Sequence, residues 1–321
     1  MYLAVVAVLL STDNIFYLVP LWFLAGLVVS ALFIIAHDAA HQSLFKKQWM
    51  CDWVGRITML PALHIYSVWI LRHNHIHHAF TMHQERDFVW HPYSPAEFED
   101  ISRTKKLMHR LEWSWLGAGI YYLVEVWWKK MIAFRAPAKR ARDIGRDRLF
   151  LIGGLSLGIL SYYLFAVLIK DLSGGMAIAY AGWLVLKVLL IPWLLFNHFI
   201  GLVLYVQHIQ PELKWHTHKA WTKFKAQMKG TMIFRVSPKL LNIFLHDCMI
   251  HAPHHVDMRI PFYNLHKAAE HIHNHYPGTV RDLPIRLRHY LRATRLCKLY
   301  DFEAERWLDY QGNRATVLSV P

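Results

Sequence analysis

The chain has 321 residues, of which 55% are apolar, 14% aromatic and only 18% charged, with a formal net charge of +14. So apolar a composition excludes an ordinary soluble domain. The positive charge sits in two blocks rather than in any nucleic-acid-binding motif, so no nucleic-acid partner is expected.

Met1 to Leu10 is apolar but too short to cross a bilayer alone. It lacks the basic start and small-residue cleavage site of a secretory signal, and reads as the end of a first helix in a hairpin with the next. Ile15 to Ala36 contains no Lys or Arg and is long enough to span a hydrocarbon core of ~30 Å as a helix. His37-Asp-Ala-Ala-His41 follows without a break, so both histidines are expected on one face where that helix leaves the membrane. Trp49 to Leu71 is semi-apolar but interrupted by Asp52, Arg56, Pro61 and His64, which predicts a re-entrant or interfacial helix leading the next cluster, His73-Asn-His-Ile-His77-His78, back to the first. Trp113 to Ile132 is rich in Trp and Tyr and ends on Lys129 and Lys130, a pattern placed along the membrane interface.

Leu149 to Ile169 and Met176 to Val206 form a second hairpin turning at Lys170 to Gly175, the second arm being tilted or broken at Pro192. The basic residues concentrate in residues 37–148 and 207–321; residues 1–36 hold none, and 149–206 hold only Lys170 and Lys187. The positive-inside rule puts both blocks in the cytoplasm, which gathers all the histidine clusters in one compartment. The expectation is one membrane-embedded domain over residues 1–321, multi-pass in a bacterial cytoplasmic membrane with its site on the cytoplasmic face. The fold class is all-α: about four transmembrane helices in two hairpins, interfacial helices and a cytosolic helical cap carrying a histidine-ligated di-metal site.

The third cluster is His251-Ala-Pro-His254-His255. Imidazole is a neutral ligand for iron, zinc and copper, and histidines three or four apart on a helix point the same way, so each cluster offers two or three ligands. In the second cluster His75 competes with His73, which has the i, i+4 relation to His77. The set exceeds what one zinc ion takes, so two metals are the economical count, and an all-imidazole site suits iron better than magnesium or calcium. Asp38, Asp87 and Asp247 lie near the clusters and are candidates to accept from imidazole N–H groups. The remaining histidines read as solvated or hydrogen-bonded side chains. Cys51, Cys248 and Cys297 form no paired motif, which excludes a cysteine-ligated iron-sulfur centre, and no nucleotide-binding fingerprint is present. Redox chemistry here needs electrons from another protein.

The order and spacing of the three boxes resemble those of the membrane-bound fatty acid desaturase and hydroxylase superfamily. Trp69-Ile-Leu-Arg-His73, His77-His78-Ala-Phe-Thr81, Tyr205-Val-Gln-His208-Ile-Gln-Pro211 and His251 through Leu265 are most similar to its acyl-lipid delta-12 (omega-6) branch. The resemblance runs from about His37 to Trp307. It implies two iron ions, dioxygen as co-substrate, a ferredoxin- or cytochrome-type electron donor, and a membrane lipid acyl chain that acquires a cis double bond. By it the metal ligands would be His37, His41, His73, His77, His78, His251, His254 and His255, with His208 as a further ligand and His246 as its competitor. The acyl tail is expected in a narrow apolar tunnel, with residues between Trp113 and Trp128 as tunnel wall or interfacial anchor. A hydroxylase or ketolase of the same superfamily is the neighbouring alternative. A metal transporter is the distant one, because the spans hold little polar beyond Asn197 and His198.

Overall fold

The computed structural model describes residues 1–315; the end of the second polar block, residues 316–321, lies outside the described residues. Helix α1 (Tyr2–Ser11) turns at residues 12–14 and folds back on α2 (Ile15–Ala40), with Val5 and Leu9 against Leu18, Ala25 and Val28. Next, α3 (Gln48–Met59) continues into a 3-10 turn and meets α4 (Tyr66–Trp69), which runs on as a π-helix over Ile70–His77. The α3 and α4 arms are bent by 100° at Leu63, whose φ of 54° is left-handed. Trp49, Trp53 and Ile57 point outward from α3, as a re-entrant or interfacial element requires. Buried Asp147 fixes the bend: its carboxylate accepts from Arg56 Nε at 2.8 Å and from Ser67 N at 2.9 Å.

Short helices α5 (Pro95–Asp100) and α6 (Arg103–Glu112) lead to α7 (Ala118–Tyr121), extended as a second π-helix over Tyr122–Ile132. This stretch differs from the interfacial placement expected for it. Trp115 and Trp128 are exposed, but Trp113, Tyr121 and Tyr122 are buried in the main core. Tyr121 stacks on Trp90 at 3.7 Å, and Tyr122 donates its hydroxyl to His64 Nε2 at 2.9 Å, the other His64 nitrogen donating to Ala62 O. Aromatic-belt composition is shared by a helix that buries one face under a polar cap, and here the cap decides.

Helix α8 (Ala141–Leu168) buries almost none of its apolar length and pairs with α9 (Gly174–Leu184), a π-helical segment (Val185–Leu190) and α10 (Ile191–His208). Three helices, Ile15–Ala40, Ala138–Leu168 and Gly174–His208, are long and apolar enough to cross a membrane, and the bent pair makes up to four. Pro192 does not break its arm. The π register absorbs it: Ile191 N donates five residues back to Leu186 O, and the Lys187 carbonyl, next in that register, accepts instead from the Trp22 indole at 2.9 Å because Pro192 has no N–H. Close approach of α10 to α7 requires Gly201, where a Cβ would stand 2.2 Å from Ala118 O.

The cap comprises α11 (Lys223–Lys229), α12 (Asn242–Leu245), α13 (His251–Val256), α14 (Leu265–His275) and α15 (Leu287–Leu296). Strand β1 (Ile233–Arg235) pairs in parallel with β2 (Asp282–Pro284), and β3 (Leu299–Asp301) pairs antiparallel with β4 (Arg306–Leu308).

Lys187, fully buried within a candidate span, donates to Asp13 Oδ1 at 2.7 Å and to Thr12 O at 3.0 Å, tying the α1–α2 turn to the third long helix. Removing one partner of such a pair strands the other. Asp13→Ala is therefore expected to lower stability by about 3 kcal/mol and Lys187→Met by distinctly less, since only the first leaves an uncompensated buried cation. Thermal unfolding in detergent checks the order; equal losses would contradict it.

Candidate metal centre

Four segments bring histidines to one place: the end of α2, the π-helix after α4, the last residue of α10, and α13. His37, His41, His73, His78 and His254 form one group and His77, His208 and His255 a second, the nitrogens of each lying within 4.8 Å of one another. His251 joins the second group, its Nε2 standing 3.2 Å from His208 Nε2 and 3.0 Å from His255 Nε2. In the first group His37 Nε2 lies 2.8 Å from His73 Nε2, and His78 Nε2 lies 3.1 Å from both His73 and His254 Nε2. Each of the nine histidines that the resemblance implies as ligands is thus in one of the two groups, and the two competitors are in neither. His75 is exposed, and His246, at φ 42°, packs on the Phe262 ring at 4.9 Å outside both.

The partition differs from simple helical spacing. An α-helix would align His73 with His77, but the π register, with His78 N donating to His73 O, aligns His73 with His78 and turns His77 into the other group. In α13, His251 and His255 share a face at i, i+4, while His254 points to the first group. The second and third boxes therefore each serve both groups, and the His78 and His255 rings stack between them at 4.3 Å.

Hydrogen bonds on the outer nitrogens fix the rings. Carboxylates can only accept, so His37 Nδ1–H donates to Asp38 at 3.0 Å and His77 Nδ1–H to Asp87 at 2.9 Å, turning each Nε2 lone pair inward. Asp38 also accepts from Phe262 N at 2.6 Å, clasping the segment after the third box to the first, and Asp87 accepts from Met82 N at 2.9 Å. Asp247 does not act this way. It accepts from His266 Nε2 at 2.9 Å, away from both groups, because the left-handed turn at His246 and Asp247 carries its carboxylate outward. Sequence reasoning missed Thr81, whose hydroxyl donates to His77 O at 2.7 Å and accepts from His255 Nδ1–H at 3.0 Å. Asn74, equally unannounced, donates to Ala40 O at 2.9 Å and holds the second box against the first. The Thr after a histidine doublet was the available signal for the former; for the latter none existed.

Burial first, and then the neighbouring imidazoles, push His251, His254 and His255 well below the usual imidazole range, so they are neutral at pH 7. Neutral imidazole is the ligating form. His77 Nε2 is buried without a hydrogen-bond partner, aimed into the second group. A row of neutral imidazoles whose Nε2 atoms face each other cannot all be satisfied by mutual hydrogen bonds, and cations between them would satisfy every lone pair. The donor set fits metal ions. Beside it lies a small apolar cavity of about 50 Å³, walled by Phe33, Ile34, Trp69, Ile200, Val203 and Leu204 and touching His37, His73, His251 and His254.

An apolar helical protein with two histidine groups beside an apolar cavity is compatible with a membrane metalloprotein. The chain matches the family model for fatty acid desaturase over residues 15–284, and it belongs to that family. It is 28% identical over 301 residues to the sn-1 oleoyl-lipid 12-desaturase of Picosynechococcus sp., covering 92% of this chain and 80% of that one. It is 28% identical over 291 residues to the chloroplastic omega-6 fatty acid desaturase of Arabidopsis thaliana, covering 89% of this chain and 60% of the plant protein. A third relative, the sn-1 acyl-lipid omega-3 desaturase (ferredoxin) of Nostoc sp., is 28% identical over 250 residues, covering 78% of this chain and 65% of that protein.

Loss of a carboxylate that orients a ligand weakens a metal site without removing a ligand. Asp87→Asn is expected to lower metal affinity about tenfold to a hundredfold, while Asp247→Asn leaves it unchanged. Metal content after equilibration with a competing chelator, measured by mass spectrometry, distinguishes the two; a matching loss in both variants would remove the special place of Asp87.

Proposed function

We propose that this fatty acid desaturase is of the delta-12 (omega-6) type, acting on the oleoyl chain of a membrane lipid through two iron ions. The reading assigns His37, His41, His73, His78 and His254 to one iron and His77, His208, His251 and His255 to the other. The observation that carries it is the interleaving of the boxes into two buried groups of inward-facing Nε2 atoms beside an apolar cavity. The names of the relatives support the regiochemistry, and one names ferredoxin. We further propose that residues 1–321 form a single multi-pass domain with its site on the cytoplasmic face of a bacterial membrane, driven by an external one-electron donor.

When bound, the irons supply activation of dioxygen and removal of hydrogen from an unactivated methylene. The chain's own residues aim that chemistry. Asp38 and Asp87 hold the His37 and His77 rings by their Nδ1–H protons, and the Thr81 hydroxyl does the same for His255. Phe33, Ile34, Ile200, Val203 and Leu204 offer the acyl chain a wall without hydrogen-bonding groups, which excludes water from the reacting carbons. Trp69, stacked on His73 at 4.5 Å, sets the near side of that wall.

In oleate-fed host cells, the intact chain is expected to yield a new cis,cis-diene by gas chromatography with mass spectrometry, with the second double bond at carbon 12, and the His254→Ala variant none. A hydroxylated acyl chain in place of the diene would transfer the protein to the hydroxylase reading. Diene production by His254→Ala at the full rate would sink the ligand assignment. Purified protein should carry close to two irons per chain.

A further inference from the structure

We propose that the lysine-rich surface around α11 is the docking site of an acidic one-electron carrier protein, with Trp221 as the entry point for its electrons. The proposal rests on the reading of this chain as a di-iron desaturase. Desaturation removes two electrons and two protons from adjacent methylenes, while reduction of dioxygen to two waters takes four of each. The balance is two electrons and two protons per double bond. Two encounters with a carrier, each oxidised by one electron, supply the former, and solvent supplies the latter.

Lys214, Lys219, Lys223, Lys225 and Lys229 are all exposed within sixteen residues of sequence, 214–229. Among the described residues of this set only Lys214 forms a salt bridge, with Glu305 at 3.4 Å; Lys223 lies within Coulombic reach of Asp257, and Lys225 donates to Ala220 O at 3.1 Å. In their midst Phe224 is 54% exposed. Five exposed cations with a single salt bridge among them, around an exposed aromatic ring, suit a protein partner of opposite charge, whose approach such a field accelerates.

This surface is wired to the histidines. The half-buried Trp221 indole donates to Thr81 O at 3.0 Å, and the hydroxyl of the same threonine accepts from His255 Nδ1–H at 3.0 Å. A single residue therefore connects a ring at the surface to a member of the second histidine group. Gln227, on α11 itself, donates to His78 O at 2.7 Å and anchors the helix over the second box. The apolar cavity opens on other members of the constellation, His37, His73, His251 and His254, and is walled by residues of the long apolar helices α2 and α10. Its position argues that the α11 face looks away from the bilayer, which favours a protein over lipid headgroups as its occupant.

The test uses the purified, iron-loaded full chain with a plant-type [2Fe–2S] ferredoxin, comparing wild type with Lys223→Glu/Lys225→Glu. The variant is expected to bind ferredoxin at least about tenfold more weakly at low salt, with the difference vanishing near about 0.5 M salt. Its iron content and its reduction by dithionite should match wild type. Equal ferredoxin affinity in both proteins overturns the proposal. So does a variant that keeps ferredoxin affinity but loses binding to phosphatidylglycerol vesicles, because the face is then a membrane seat. If the variant weakens ferredoxin binding while wild type forms no diene from any acyl lipid, the docking surface stands and the desaturase reading fails.

Discussion

Nine imidazoles packed with their inner nitrogens facing one another set the terms for the rest of this fold. Bringing that many polar rings out of water is unfavourable unless each lone pair finds an acceptor of its electrons, and mutual hydrogen bonds leave several without one. The chain answers with a rigid frame rather than with local flexibility. Ring orientations are held from outside by Asp38, Asp87 and Thr81, and the segments are held to one another by Asn74, Gln207 and Gln227, each bonding a backbone carbonyl of a neighbouring element. Burial keeps the α13 imidazoles neutral without any proton having to be removed when a cation binds.

The π register is the local device that makes two groups out of three boxes. In an α-helix His73 and His77 would share a face and His78 would stand aside; one turn with bonds five residues back interchanges them. The same device recurs where the third long helix must pass Pro192, and there it frees the Lys187 carbonyl for the Trp22 indole. At Pro192 a side chain from another element fills the position that regular hydrogen bonding vacates. Such registers persist because tertiary contacts fix them, so they are invisible to any reading of local sequence.

That explains which parts were legible beforehand. The long apolar helices, the bent pair at Pro61 to His64 and the histidine boxes announce themselves through composition and spacing, and the candidate ligands converge as named. The division of His77 from His78 does not, because helical spacing assumes one register. Asp38 and Asp87 were legible as carboxylates beside boxes, yet the same rule misplaced Asp247, whose orientation depends on a left-handed turn at His246. Trp113, Tyr121 and Tyr122 were misread as interfacial because an aromatic stripe looks the same whether it meets headgroups or Trp90, Tyr205 and His64.

The interleaved boxes also separate traffic. On one side, α2 and α10 present apolar walls to His37, His73, His251 and His254, the environment an acyl tail requires. Behind His255 and His77 the neighbours are instead Thr81, Asp87 and Trp221, groups that carry hydrogen bonds and a polarizable ring but offer no apolar tunnel. A substrate that must stay dry and a reductant that must arrive through water cannot share one mouth. Splitting the second and third boxes between the groups keeps the two groups in contact through the stacked rings of His78 and His255, and His251 of the second group lines the cavity beside His37, His73 and His254. On the reading proposed above, an electron delivered to the second group crosses to the first through ring contacts, the His78–His255 stack at 4.3 Å and the His251–His254 stack at 5.3 Å.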